Sequence, residues 1–108
     1  MVKELHSKED LRKEVLEQNG YVLLNLRADW CRPCQVMRPV FEATEMDFAG
    51  KIRLCSLDVD EQAELSELFH AEGIPTYILF HDGKEIGRII GYRQKAKFQE
   101  ILQELLKK

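Results

Sequence analysis

Three short apolar runs constrain this chain more than any other feature: YVLLNLRA at residues 21–28, IRLCSL at 52–57 and TYILFH at 76–81. A strand with one face in water alternates apolar and polar residues, whereas a strand covered on both faces reads as a nearly continuous apolar run. The first run is of the second kind, and 52–57 reads as another buried strand. Helically spaced segments separate the runs, so crossover helices supply the cover and favour parallel pairing. Asp82-Gly83 follows the third run as a strong hairpin signal, and Glu85 to Ile90 returns as an antiparallel strand. The expected fold class is α/β, with a mixed central sheet and helices on both faces.

The rest of the chain fits this frame. VKEL near the N-terminus reads as a short edge strand. Ser7 is placed to cap a first helix, with Asp10 three residues on as a shortened capping box. Leu11, Val15 and Leu16 form its apolar stripe, which ends before Asn19-Gly20. Residues 34–48 put Val36, Met37, Val40, Phe41 and Phe48 at mostly helical spacing, with Pro39 inside to bend the helix. Asp60 then precedes AELSELFHAEG, a helix expected to turn Leu65, Leu68 and Phe69 inward and to stop at Gly73. Residues 94–107 close the chain as a helix with Phe98, Ile101, Leu102, Leu105 and Leu106 apolar. The expected order is (β)αβαβαββα, one domain over 1–108 with no linker or repeat.

Size and charge narrow the function. A chain of 108 residues is long enough for one core and too short for two. Its 16 basic residues are scattered among 19 acidic ones, so a polyanion-binding surface, and with it a nucleic-acid partner, is not expected. The apolar runs are far too short to span a membrane. MVKELHSKED carries no apolar signal segment, so a cytoplasmic location is expected rather than export. Three cysteines do not make a disulfide framework.

Two of those cysteines, Cys31 and Cys34, stand in ADWCRPCQ at 28–35. Taken alone, such a pair is a redox dithiol, half a metal site or two neighbouring core thiols. His6, His70 and His81 lie at no metal-ligand spacing with it, and structural zinc usually takes four ligands, so no metal is expected. Cys31 ends a buried strand, while Arg32, Pro33 and Cys34 begin a helix. At that junction the two cysteines can reach each other, and unsatisfied N–H groups with the helix dipole favour a Cys31 thiolate. Pro33 suits the first helical turn. Cys34, deeper in the turn, is the natural resolving thiol. C-x-x-C in a βαβ pattern is a redox signature, modest by itself.

The wider pattern resembles the thioredoxin family over essentially the whole chain. It consists of Trp30-Cys31-x-Pro33-Cys34, the mid-helix Pro39, Asp58-x-Asp60, Gly73-Ile74-Pro75-Thr76, Gly83 and Gly91. The resemblance implies a thioredoxin fold, a three-layer α/β/α arrangement, with no bound cofactor beyond a redox-active Cys31–Cys34 disulfide. It implies reduction of protein disulfides by dithiol-disulfide exchange, with Cys31 as nucleophile and Cys34 as resolving cysteine. Trp30 would wall the site, and Pro75 would be a cis proline opposite the disulfide. The backbone around Thr76 would pair with extended substrates, and Gly73, Ile74 and Gly91 would complete the docking surface. A separate flavoprotein reductase would supply electrons, because no nucleotide-binding glycine motif occurs here. A monomer is expected.

Four residues depart from the family pattern. Arg32 stands where the family commonly has glycine, and Arg27 where it has an aromatic residue. Asn25 stands at the position of a buried aspartate thought to deprotonate the resolving cysteine, and Ser56 at that of its lysine partner. Asn25 cannot act as a carboxylate base, so resolution is expected to be slow near neutral pH. Losing both members of a buried charge pair leaves no charge unpaired. Arg32 is a fixed positive charge beside the nucleophile, which favours the thiolate and makes the couple more oxidising. Arg27 either snorkels beside the site or contacts an acidic group of a substrate. Cys55, in a core-like strand, is expected to be a small buried hydrophobe. Asp58 and Asp60 are explained by a strand end and a helix cap. The competing functions are a thiol oxidase or disulfide isomerase, which a high potential would favour, and a binding or scaffold module with incidental catalysis.

Overall fold

Side-chain alternation along the central strand decides the layers. In a computed structural model describing residues 1–108, the chain runs β1 (Val2–Glu4), α1 (Lys8–Leu11), a π-helical turn (Arg12–Leu16), β2 (Tyr21–Arg27), α2 (Arg32–Asp47), β3 (Ile52–Asp58), α3 (Ala63–Glu67), β4 (Thr76–His81), β5 (Lys84–Ile90) and α4 (Lys95–Leu106). The strands form one sheet in the order β1-β3-β2-β4-β5. β3 pairs in parallel with β1 and β2, and β4 pairs antiparallel with β2 and β5. Val22, Leu24 and Leu26 of β2 join Leu11, Val15, Leu65 and Phe69 in one core. Leu23 joins Met37, Phe41, Phe98 and Leu102 in the other. Each face is thus covered by helices, and truncating a fully buried residue such as Leu24 should cost about 2–5 kcal/mol.

The hairpin forms as its residues dictate. Asp82 and Gly83 both have positive φ, at 51° and 82°, the geometry of a two-residue turn that matches strand twist. A Cβ at Gly83 would collide with the Leu16 carbonyl oxygen, so glycine there serves close approach as well as conformation.

Four local expectations are corrected. After Leu11 the first helix widens, and the Glu17 N–H donates to the Arg12 carbonyl at 2.8 Å. That wider turn keeps Val15 inside and swings Leu16 outward to 44 % exposure. The third helix is shorter than its apolar pattern suggests, because His70 rather than Gly73 stops it. His70 has φ 50°, and the N–H groups of Leu68, Phe69 and His70 bond three residues back instead of four. Histidine tolerates this left-handed backbone better than most residues, and the tightening turns Leu68 out while Phe69 stays buried. On α2 the buried side is Cys34, Met37, Phe41 and Thr44, so Val36 faces solvent. The capping box is also offset: Ser7 Oγ accepts from the Asp10 N–H at 3.0 Å, but the Asp10 carboxylate accepts from the N–H of His6.

Candidate active site

β2 ends at Arg27 and α2 begins at Arg32, so the segment between them is held by the sheet on one side and by a helix N-terminus on the other. Cys31 is the N-cap of α2, with extended backbone, and its Sγ accepts the Cys34 N–H at 3.3 Å. A sulfur in this position faces donors that the helix cannot satisfy itself, which stabilises negative charge. Pro33 sits in the first turn, where a missing N–H costs nothing. Cys31 and Cys34 form a disulfide with a Cα–Cα distance of 5.3 Å. The Gln35 side chain donates to the Asp29 carbonyl at 2.7 Å, tying the loop back to the helix.

Residue burial does not separate the two sulfurs, since Cys31 is 3 % and Cys34 6 % exposed. Depth therefore gives no ground for choosing the resolving thiol, contrary to the expectation from the turn alone. What separates them is surroundings. Cys31 occupies the cap, whereas Cys34 borders a cleft running behind the disulfide with Asn25, Arg27 and Ser56.

Around the disulfide, Ala28, Val59 and Ile74 pack against the two cysteines. The Ile74–Pro75 bond is cis, and Pro75 is buried. Thr76 Oγ1 donates to the Gly73 carbonyl at 2.5 Å, and the Gly91 N–H donates to the Pro75 carbonyl at 2.8 Å. These bonds draw Gly73, Ile74, Pro75, Thr76 and Gly91 into one unit. Trp30 is 70 % exposed, with its ring held by an indole N–H donated to Asp60 Oδ2 at 2.6 Å. Asp60 thus anchors Trp30. Asp58 closes the turn before α3, accepting the N–H groups of Asp60 and Glu61 at 2.9 and 3.2 Å, while the N-cap of α3 is Gln62 and makes no side-chain cap bond, so neither aspartate caps that helix. Arg32 is exposed and forms neither an ion pair nor a side-chain hydrogen bond, leaving its charge free at the start of α2.

Arg27 neither snorkels nor reaches outward for a substrate. Its guanidinium is paired with Glu4, donates to Asp29 at 2.9 Å and to Ser56 Oγ at 3.0 Å, and lies 3.5 Å from Asp58. The reason is local charge: three carboxylates from β1, β3 and the loop after β2 converge on it. Glu4 and Asp29 were not singled out in the sequence, and no local spacing marks them, because β1 reaches Arg27 only through sheet order. Cys55 is fully buried in β3, and burial pushes its thiol up to about 11.

The family model for thioredoxin matches residues 2–104. The chain belongs to the thioredoxin family. Thioredoxin from Staphylococcus saprophyticus is 35% identical over 89 residues, covering 82% of this chain and 86% of that one. The Staphylococcus haemolyticus thioredoxin is 36% identical with the same coverage. Among solved structures, Malassezia sympodialis thioredoxin superposes with a TM-score of 0.84 at 25% identity, covering 96% of this chain and 90% of that one. A chain from work on the thiol resolving mechanism in yeast mitochondrial 1-Cys peroxiredoxin via glutathione/thioredoxin systems gives 0.83 at 26% identity, covering 94% of both. The fold is the thioredoxin fold, and the protein is a dithiol-disulfide oxidoreductase working through the Cys31–Cys34 disulfide. Members of the family act on protein disulfides and are generally served by a thioredoxin reductase. No helix is long and apolar enough to cross a membrane.

Proposed function

We propose that this protein runs mainly as a reductase of protein disulfides, with Cys31 as nucleophile and Cys34 as resolving cysteine. The observation that carries the assignment is the Cys31 sulfur at the N-cap of α2, within reach of the Cys34 N–H at 3.3 Å. The reduced Cys31 thiolate attacks one sulfur of a partner disulfide, the other sulfur leaves as a thiolate, and a mixed disulfide remains. Cys34 then attacks Cys31 Sγ, re-forming the internal disulfide and releasing the reduced partner. Pro75 positions the incoming disulfide, while Thr76 offers backbone to an extended substrate flanked by Gly73, Ile74 and Gly91. Trp30 is one wall of that groove.

The CRPC variant of the motif sets this member apart, and Arg32 tunes it through an unpaired charge at the helix start. A separate flavoprotein reductase returns electrons. The chain works as one domain over 1–108, as a monomer in the cytoplasm, serving cell redox homeostasis. A thiol oxidase, an isomerase or a redox-linked scaffold would need a much higher potential or partner binding that survives loss of both cysteines.

The test is trapping. In Cys34→Ala the mixed disulfide cannot be resolved, so partner proteins should accumulate on Cys31 and be released by dithiothreitol. Insulin reduction coupled to a thioredoxin reductase should be fast in the native protein. Absence of both selective trapping and insulin reduction, with dithiothreitol as donor as well, would refute the assignment.

A further inference from the structure

Five of the seven arginines are held in ion pairs within the protein: Arg12, Arg27, Arg38, Arg53 and Arg88. The two that are not, Arg32 and Arg93, both stand beside the disulfide. Arg32 directly follows Cys31. Arg93 lies two residues past Gly91, whose N–H donates to the Pro75 carbonyl at 2.8 Å, and the neighbouring Ile74 packs against the cysteines. The Arg93 guanidinium folds back over this unit. Its Nη1 donates to the Tyr92 carbonyl at 2.7 Å and comes within 3.8 Å of where a Gly91 Cβ would stand. The Arg93 backbone N–H donates to Met37 Sδ at 3.5 Å, which fixes the loop on α2. One of the guanidinium's five donors is thereby used, and the rest make no bond within the protein. In a chain with 19 acidic residues, two arginines without a carboxylate at one reactive pair amount to a cationic edge.

We propose that Arg93 and Arg32 form the recognition edge for an acidic segment of the partner protein. Carboxylates beside the partner's reactive cysteine pair with the two guanidiniums as its disulfide approaches Cys31. The inference rests on the reductase reading above. Arginine suits the task because its planar fork takes a carboxylate through two parallel N–H bonds. Arg93 supplies the more organised contact, since the Tyr92 carbonyl already restrains it. Arg32 adds charge from the first residue of α2. The substrate contact expected of Arg27 thus falls to two arginines that nothing inside the protein neutralises.

The other charges around the groove limit where the acid can lie. Asp29 and Asp58 are engaged by Arg27, and Asp60 accepts the Trp30 indole N–H. Past Ile74, Glu67 and Glu72 line a separate cleft with Leu26 and Val59. A partner carboxylate there meets like charge. The groove is therefore polarised, and an acidic residue should help on one flank of the partner cysteine and not on the other.

Three synthetic peptides test this, each with blocked ends and a single cysteine disulfide-bonded to neutral mercaptoethanol. One carries two glutamates before the cysteine, one carries two after it, and the third has glutamine at all four positions. Release of free peptide by the reduced protein is followed by acid quench and chromatography. Each rate is divided by the rate with dithiothreitol, which removes the effect of the glutamates on the disulfide itself. The glutamate-to-glutamine ratio within one protein also cancels any change in the nucleophile.

At about 10 mM salt one flank should give a ratio of about five, the scale of partly exposed ion pairs, and at about 1 M salt that ratio should approach one. Arg93→Gln and Arg32→Gln should each at least halve it, and the double substitution should abolish it. A native ratio near one on both flanks, equal gains on both, or a gain undiminished by salt would overturn the proposal, and these readings need no variant to fold. A ratio that survives either substitution would overturn it too. Failure to reduce the glutamine peptide would instead strike the reductase assignment, so the two failures are distinguishable.

Discussion

Cys31 and Cys55 are both shut away from solvent, at 3 % and 0 % exposure, yet only one of them stands where sulfur chemistry is favoured. Cys55 lies in the middle of β3, paired to Lys3 on one side and Leu24 on the other, with its thiol among leucines and phenylalanines. Desolvation pushes it up to about 11. Cys31 stands where a strand hands over to a helix, and its sulfur meets a backbone N–H. Burial is common to both, so burial does not set reactivity. The groups facing the sulfur do, and that contrast makes the largest predictions easy to state.

Replacing Cys31 by serine should reduce insulin turnover to background, a loss of at least roughly a thousandfold, because the thiolate is the attacking atom. Cys55→Ala should leave turnover within about twofold and cost on the order of 1 kcal/mol in urea unfolding, through a small cavity. A large loss of turnover in well-folded Cys55→Ala would erase the contrast.

Alkylation sharpens it further. With a thiol at about 11, roughly one Cys55 in 10³ is ionised at pH 8, before shielding by the core is counted. Iodoacetamide should therefore label Cys31 of the reduced protein at least about 10³ times faster, as read by peptide mass spectrometry. The same shift has a stability consequence. Folded Cys55 keeps its proton between its ordinary 9.0 and about 11, where the unfolded chain has released it. The stabilisation is complete below that window and is lost as pH rises through it. Cys55→Ala should flatten the alkaline fall in stability across that range.

How much of this was legible in the sequence depends on the range of the interactions concerned. The buried strands of the core followed from apolar runs, because covering both faces of a strand leaves a direct trace in residue type, whereas their order in the sheet did not. Asp82-Gly83 likewise named its own turn. The cysteine cap was readable because strand, proline and helix all lie within a few residues. What stayed hidden depends on neighbours distant in sequence. Arg27 is held by Glu4 across the sheet, and Trp30 is anchored by Asp60, thirty residues on. Val36, Leu16 and Leu68 fit an apolar stripe on paper, but Leu16 and Leu68 lie where local helix geometry departs from 3.6 residues per turn, and Val36 stands on the solvent side of α2. The equal burial of Cys31 and Cys34 was invisible for the same reason: depth is a property of the assembled layers.

Within the disulfide itself, Cys34 repeats the comparison on a smaller scale, since it has a cleft but no base of its own. Asn25→Asp puts a carboxylate there and should speed resolution of a mixed disulfide by about tenfold or more near neutral pH, measured in single turnover. An unchanged rate would mean that proton removal does not limit this step.

The smallest expected effect belongs to Arg32. Its charge is exposed and unpaired at the first residue of α2, one position from the nucleophile. A positive charge there lowers the energy of the thiolate relative to the thiol, and the thiolate exists only in the reduced protein. The reduced state is thereby favoured, and the potential rises. Arg32→Gly reverses this and should make the potential about 10–20 mV more negative, a two- to fivefold shift in exchange with glutathione, because solvent screens an exposed charge. The shift should shrink when the titration is repeated at about 1 M salt, where charges are screened within roughly 3 Å. Arg32→Lys, which keeps the charge, should stay close to the native potential. An unchanged or higher potential in Arg32→Gly would break the argument, leaving the arginine a role in partner choice alone.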